Sequence, residues 1–266
     1  MVTYFTMNKD LKKYKKGPFP IGFLFLFLIL IQLITFNSWA NLTELKVYSP
    51  IVKKGEMGIE VLGNTRIDDD DDQDGFQFHE LEYEYGVTDS WATSFTAGLI
   101  KEAQGSLIFD TLGWENTLQF TEQGKYWIDL GVHTEVELEN ESDKPNGLEL
   151  RLLFEKTTSS YQHTGNLNFE QQVGSEADES TELEYIWRSK KYINDHAAVG
   201  FEAYGAMGEI KDFSPMKNQH HIIGPAIYNE FKIAGIKIES HLVWMFGLTE
   251  DSPDNTFRWQ IEFPFN

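Results

Sequence analysis

The chain has 266 residues, with 22 Lys and Arg against 42 Asp and Glu, a formal charge of −20, no cysteine and 14% aromatic residues. The aromatic content argues against a disordered chain, and without Cys there is no disulfide, thiolate nucleophile or Cys-ligated metal centre. The acidic balance argues against a nucleic-acid partner, because phosphate binding needs clustered bases.

The N-terminus reverses that balance. Lys9, Lys12, Lys13, Lys15 and Lys16 stand against one acid, Asp10, and Ile21 to Phe36 is then almost wholly apolar. The run closes on Asn37-Ser38-Trp39-Ala40, where Ser38 and Ala40 have the spacing a signal peptidase reads. At about 1.5 Å per residue such a run falls short of a ~30 Å hydrocarbon core. The reading is a signal peptide over 1–40, a periplasmic segment over 41–55 and a β-barrel over 56–266. Beyond Ala40 the chain keeps 17 bases against 41 acids.

Downstream the pattern has period two. Tyr126, Ile128, Leu130, Val132, Thr134, Val136 and Leu138 alternate with Trp127, Asp129, Gly131, His133, Glu135 and Glu137. Each such segment has one greasy face and one charged face. Twelve segments read this way, near 56–66, 76–86, 91–101, 106–120, 125–139, 147–156, 161–171, 181–190, 196–208, 219–231, 233–247 and 256–265. Mostly longer links (Asp68–Gly75, Glu102–Gly105, Asn140–Asn146, Gln172–Ser180, Glu209–Asn218, Leu248–Asn255) alternate with short turns, the last near Lys232. Alternation alone does not separate a membrane barrel from a soluble sandwich or lipocalin-like barrel. Strand length, loop asymmetry and aromatics at strand ends (Tyr83, Tyr85, Trp91, Phe120, Tyr126, Tyr161, Trp244, Phe246, Phe257) favour an all-β, antiparallel up-and-down transmembrane barrel of about twelve strands.

The opening Val47-Tyr48-Ser49-Pro50-Ile51-Val52-Lys53-Lys54-Gly55-Glu56 and the Glu84-Tyr85-Gly86-Val87-Thr88-Asp89-Ser90-Trp91 hairpin resemble Gram-negative outer-membrane barrels of the phenol-degradation MetA-like type. That resemblance implies an outer-membrane channel or transporter and supplies no functional residue. Trp259-x-Ile261-x-Phe263-x-Phe265 is similar to the aromatic-ended C-terminal strand of outer-membrane proteins. The partners expected are outer-membrane lipid, lipopolysaccharide and, through that strand, the barrel-assembly machinery.

The charged faces make Glu82, Glu115, Asp129, His133, Arg151, Glu184, Arg188, Glu202, Glu239, His241, Arg258 and Glu262 candidates to line the lumen, since charges facing lipid would be costly. The surplus of acids points to a channel for small solutes that favours cations. The alternative is a closed structural or surface-interaction barrel in which Arg151, Arg188 and Arg258 each pair with glutamates. His133, His220 and His241 share the charged face with Asp129 and Glu239 but show no ligand spacing, and no cofactor is expected. Asp70, Asp72 and Asp74 form the front of a calcium-loop pattern whose twelfth position is Leu81 rather than Glu. No catalytic residues are assigned: His79 and His163 fall on the apolar face without a nucleophile motif, which makes an outer-membrane hydrolase the least favoured reading. Asp110 falls on the lipid side, which suggests a bulge. Ile128, Leu130, Ile236 and Ile238 are expected to meet lipid near the midplane, and Gly131→Ser to be mild.

Overall fold

The structure, a computed structural model, describes residues 43–142, 144–175, 177 and 180–265. The signal-peptide reading falls on 1–40 and lies outside them. Thirteen strands follow in chain order: β1 (Met57–Ile67), β2 (Gln77–Thr88), β3 (Trp91–Lys101), β4 (Ile108–Gln119), β5 (Asp129–Glu139), β6 (Asn146–Thr157), β7 (Tyr161–Val173), β8 (Thr181–Asn194), β9 (Ala197–Glu209), β10 (Asp212–Phe213), β11 (His220–Ile233), β12 (Ile236–Gly247) and β13 (Asn255–Phe265). Two-residue β10 only folds back on the end of β9. The other twelve form one antiparallel ring, closed where β1 pairs with β13 from Met57↔Phe265 to Ile67↔Asn255. Closure leaves no unpaired edge, which a backbone inside lipid requires.

The two faces are inverted relative to a soluble protein. Phe95 is 61% exposed on the outer wall, in a row with exposed Tyr83 and Trp114, whereas Glu115, Arg258 and Glu202 are 1% exposed or less inside. Apolar-out and charged-in alternation means that the solvent outside is lipid. Among the described residues no helix is long and apolar enough to cross a membrane.

Several expectations change. β5 starts at Asp129, and Tyr126 to Ile128 belong to the preceding link, where Gly124 has φ +70°. β11 continues to Ile233 and turns at Ala234–Gly235, with φ of +51° and +87°, rather than near Lys232. That is the left-handed pair a two-residue hairpin needs to match strand twist. Ile128, Leu130, Ile236 and Ile238 therefore sit at the turn end of the barrel, and Phe95, fifth of the eleven residues of β3, marks the midplane instead. The bulge exists: Ala97 pairs with Leu112 while Leu99 pairs with Phe109. The extra residue turns Asp110 inward, to 8% exposure and 3.2 Å from Lys144.

The largest departure is residues 43–53. Expected in the periplasm, they run extended inside the barrel, from the loop half toward the turn end, and reverse through Lys53–Glu56 into β1. Gly55 takes φ +79° in that reversal. A Cβ on Gly86 would lie 2.0 Å from the Lys53 carbonyl oxygen, so Gly86 is the floor on which the reversal rests. A Cβ on Gly131 would meet Pro50 at 2.8 Å, which overturns the expectation that Gly131→Ser is mild.

Candidate functional site

The segment fits the lumen because its own residues alternate. Leu45 and Val47 pack on an apolar patch of the inner wall made by Ile186 of β8, Tyr204 of β9, Ile222 and Ala226 of β11 and Met245 of β12. Lys46 and Tyr48 carry the polar contacts, chiefly with β1 to β7. Lys46 Nζ lies 3.4 Å from Glu60 and 3.2 Å from Glu80, and also binds Glu82. The Tyr48 hydroxyl donates to Glu115 at 3.0 Å, and its backbone N–H donates to Asn166 Oδ1 at 2.9 Å, while Asn166 Nδ2 returns a 2.9 Å bond to the Tyr48 carbonyl. Farther along, Ser49 donates to Glu155 at 2.9 Å and the Val52 N–H to Gln119 at 2.8 Å. With Pro50 in the middle and no ladder partner, the segment satisfies its buried backbone mainly through wall side chains. Burial of Leu45 and Val47 contributes about 1.5–3 kcal/mol each.

The candidates from sequence are placed as follows. Glu82, Glu115, Asp129, His133, Arg151, Glu184, Arg188, Glu202, His241 and Arg258 are buried inside the barrel, and Glu239 and Glu262 are half-buried. Arg151 binds Glu149 on its own strand and Glu44 of the segment at 2.6 Å; Arg258 reaches Glu202 at 3.5 Å and donates to the Leu45 carbonyl. Glu202 also accepts from Tyr204 at 2.6 Å and Tyr228 at 2.9 Å. Arg188 departs from the expected pairing: among the described residues it has no ion pair within 4 Å, and its Nε lacks a hydrogen-bond partner. Lys237, at the turn end, bridges Glu230 at 3.3 Å and Glu239 at 2.6 Å. Beside it a vestibule of about 550 Å³ opens among Asn194–Ala197, Asn229–Phe231 and Ser240. The segment and the apolar inner patch are not evident from strand periodicity; their available signal in the sequence is the unpartnered Leu45-Lys46-Val47-Tyr48 alternation.

The histidines separate. His133 stands beside Glu115, His241 lies 3.2 Å from Gln260, and His220 is half-buried at the loop end, so the three do not form one site. Ligand-capable groups converge at Glu115–His133–Glu135 and at Glu44–Glu135–Glu149. The Asp70–Asp74 loop is not among these clusters, and its carboxylates cap their own backbone: Asp68 accepts from the Asp70 N–H at 2.8 Å and Asp70 from the Asp72 N–H at 3.0 Å. In the β5–β6 loop, burial works against the charge of Lys144, but the hydrogen bond and ion pair with Asp110 prevail and raise its pKa. On the outer wall His163 Nδ1 lies 2.9 Å from Ser189 Oγ, and its ring stacks between Tyr161 and Trp187 near the turn end. Trp187 also donates to that hydroxyl at 2.9 Å, an arrangement that suits an interfacial aromatic girdle.

Comparison with protein-family models and with curated protein sequences returned no match. Comparison with solved structures did. An outer membrane channel from Pseudomonas putida F1 superposes with a TM-score of 0.56 at 10% identity, covering 85% of this chain and 99% of that one. The NanC porin gives 0.52 at 8% identity, covering 78% and 99%. At these identities the likeness is one of fold. The chain is a closed twelve-stranded antiparallel barrel of the outer-membrane, porin-like architecture.

Proposed function

We infer that the protein is an outer-membrane channel for small solutes, with an acidic, cation-favouring lumen whose passage is controlled by residues 43–53. One observation carries this reading: the interior is lined by charged groups, and among the described residues its filling is one extended segment held mainly through side-chain contacts rather than a ladder strand. Such a filling can leave without breaking the barrel. Similarity of fold to a channel and a porin supports the role. Export through a peptide cleaved after Ala40 belongs to the same reading, and N-terminal sequencing beginning at Asn41 is its check. The MetA-like affinity rests on the Val47–Glu56 opening and the Tyr85–Trp91 turn. Acids outnumber bases along the inner wall, and low-dielectric walls focus that field. The test is the reversal potential of refolded protein in a planar bilayer under a KCl gradient. Cation selectivity that falls when Glu230 and Glu239, the two carboxylates that hold Lys237 at the turn end, become Gln is the expected result; anion selectivity refutes it. A closed structural barrel is the second reading, favoured by the buried Arg258–Glu202 and Lys46 networks, and it requires that no condition yields conductance.

A further inference from the structure

Glu115, His133 and Glu135 form a cluster whose geometry exceeds what holding the segment requires. β4 and β5 pair so that Glu115 stands opposite Glu135, and Thr117 opposite His133. One ligand atom from each of the three lies within 4.8 Å of the others. Glu115 and His133 are 1% exposed and Glu135 is 8% exposed. His133 Nε2 points into the cluster, 3.9 Å from a Glu115 oxygen, and among the described residues has no hydrogen-bond partner. Its Nδ1 lies 3.0 Å from Thr117 Oγ1; with the Nδ1 proton donated there, the Nε2 lone pair faces the two carboxylates. Glu115 is oriented as well: Ser94 donates to one oxygen at 2.7 Å and Tyr48 to the other at 3.0 Å.

Two buried carboxylates across a strand pair repel, and a buried imidazole nitrogen without a partner is costly. A divalent cation relieves both at once. We propose that Glu115, His133 and Glu135 bind a divalent transition-metal ion of the zinc class, on the inner wall against Tyr48 of the N-terminal segment. Imidazole with two carboxylates suits such ions, whereas calcium and magnesium prefer an all-oxygen shell. Metal–ligand distances of about 2.0–2.2 Å put the ligand atoms of a tetrahedral site roughly 3.4 Å apart, so small side-chain rotations close the site around an ion. Arg151, which stands opposite His133 on β6, is already engaged by Glu149 and Glu44.

The test uses the refolded full chain, loaded with Zn²⁺ alone, desalted and analysed for metal, with Co²⁺ as a spectroscopic stand-in. Expected are one ion per barrel and an absorption fine structure containing one imidazole and oxygen ligands. His133→Asn and Glu135→Gln should lose the ion, and Thr117→Val should weaken binding about 10–100-fold through the orienting contact. His241→Asn, a buried imidazole elsewhere, and replacement of Asp70, Asp72 and Asp74 by Asn should leave binding unchanged. Should His133→Asn fail to fold, Thr117→Val and the native fine structure still decide. No ion retained by the native chain, no imidazole in its shell, retention undiminished in Thr117→Val, or loss in the aspartate-loop variant overturns the proposal.

Discussion

Lys46→Met is the sharpest probe of the filled lumen, because it keeps the side-chain stem and removes only the ammonium. Lys46 is 5% exposed and its Nζ contacts Glu60, Glu80 and Glu82. One unit-charge contact near 4 Å is worth ~4 kcal/mol at an effective dielectric of ~20. Removing one partner of a buried ion pair costs about 3–5 kcal/mol, since the charge left behind is uncompensated. The abandoned carboxylates can escape by taking up protons, at ~1.36 kcal/mol for each unit of pKa displacement. The loss should therefore be about 3–5 kcal/mol near neutral pH and shrink as pH falls toward 4, where protonation is cheap. Denaturant unfolding in detergent, read by tryptophan fluorescence and by gel mobility of the folded barrel, measures it. Lys53→Met, in an exposed pair with Glu56, should cost no more than ~1 kcal/mol. Combining Lys46→Met with Glu82→Gln should return a coupling of about 0.5–3 kcal/mol. A Lys46→Met loss no larger than that of Lys53→Met, or no coupling to Glu82, refutes the placement of the segment.

Phe95→Arg at the lipid midplane should cost about 2–4 kcal/mol, while Phe95→Leu stays well below that; an unchanged unfolding midpoint for Arg would mean that this wall does not face lipid. Gly86→Ala should cost about 1–3 kcal/mol, because the new methyl meets the Lys53 carbonyl, whereas Gly58→Ala, whose nearest neighbour is Glu262 at 3.6 Å, should be nearly silent in the same assay. Ala234→Gly should stabilise the barrel by roughly 0.5–1 kcal/mol, since Ala234 holds φ +51°; a lowered midpoint would contradict the turn assignment.

The ring of strands was legible because lipid outside and charge inside force a period-two pattern over long stretches, and all twelve segments appear in the barrel. Boundaries failed where that pattern runs past the ladder. Tyr126 and Ile128 continue the alternation of β5 yet lie in the preceding link, and Ile233 reads as strand β12 although it ends β11. At Asp110 the broken alternation was itself the signal, and the bulge restores the face. The candidate lumen residues were legible as a face but not as a site. Periodicity assigns side chains to a wall, not to partners, and the partners of Arg151 and Arg258 include Glu44 and the Leu45 carbonyl, more than 100 residues away in sequence. The segment itself was missed because Leu45 to Val52 is short and interrupted by Pro50. Its one signal, the alternation of Leu45 to Tyr48, marks two faces without telling whether the second meets a wall or water.

The most direct test is single-channel conductance of refolded residues 41–266 compared with refolded residues 54–266. A lumen filled by the segment should give low or intermittent conductance when intact, and a larger, steady, cation-selective conductance without the segment, with selectivity weakening as salt shortens the ~8 Å screening length of physiological buffer. Equal conductance with and without the segment, or silence in both from barrels shown to be folded by gel mobility, would contradict it.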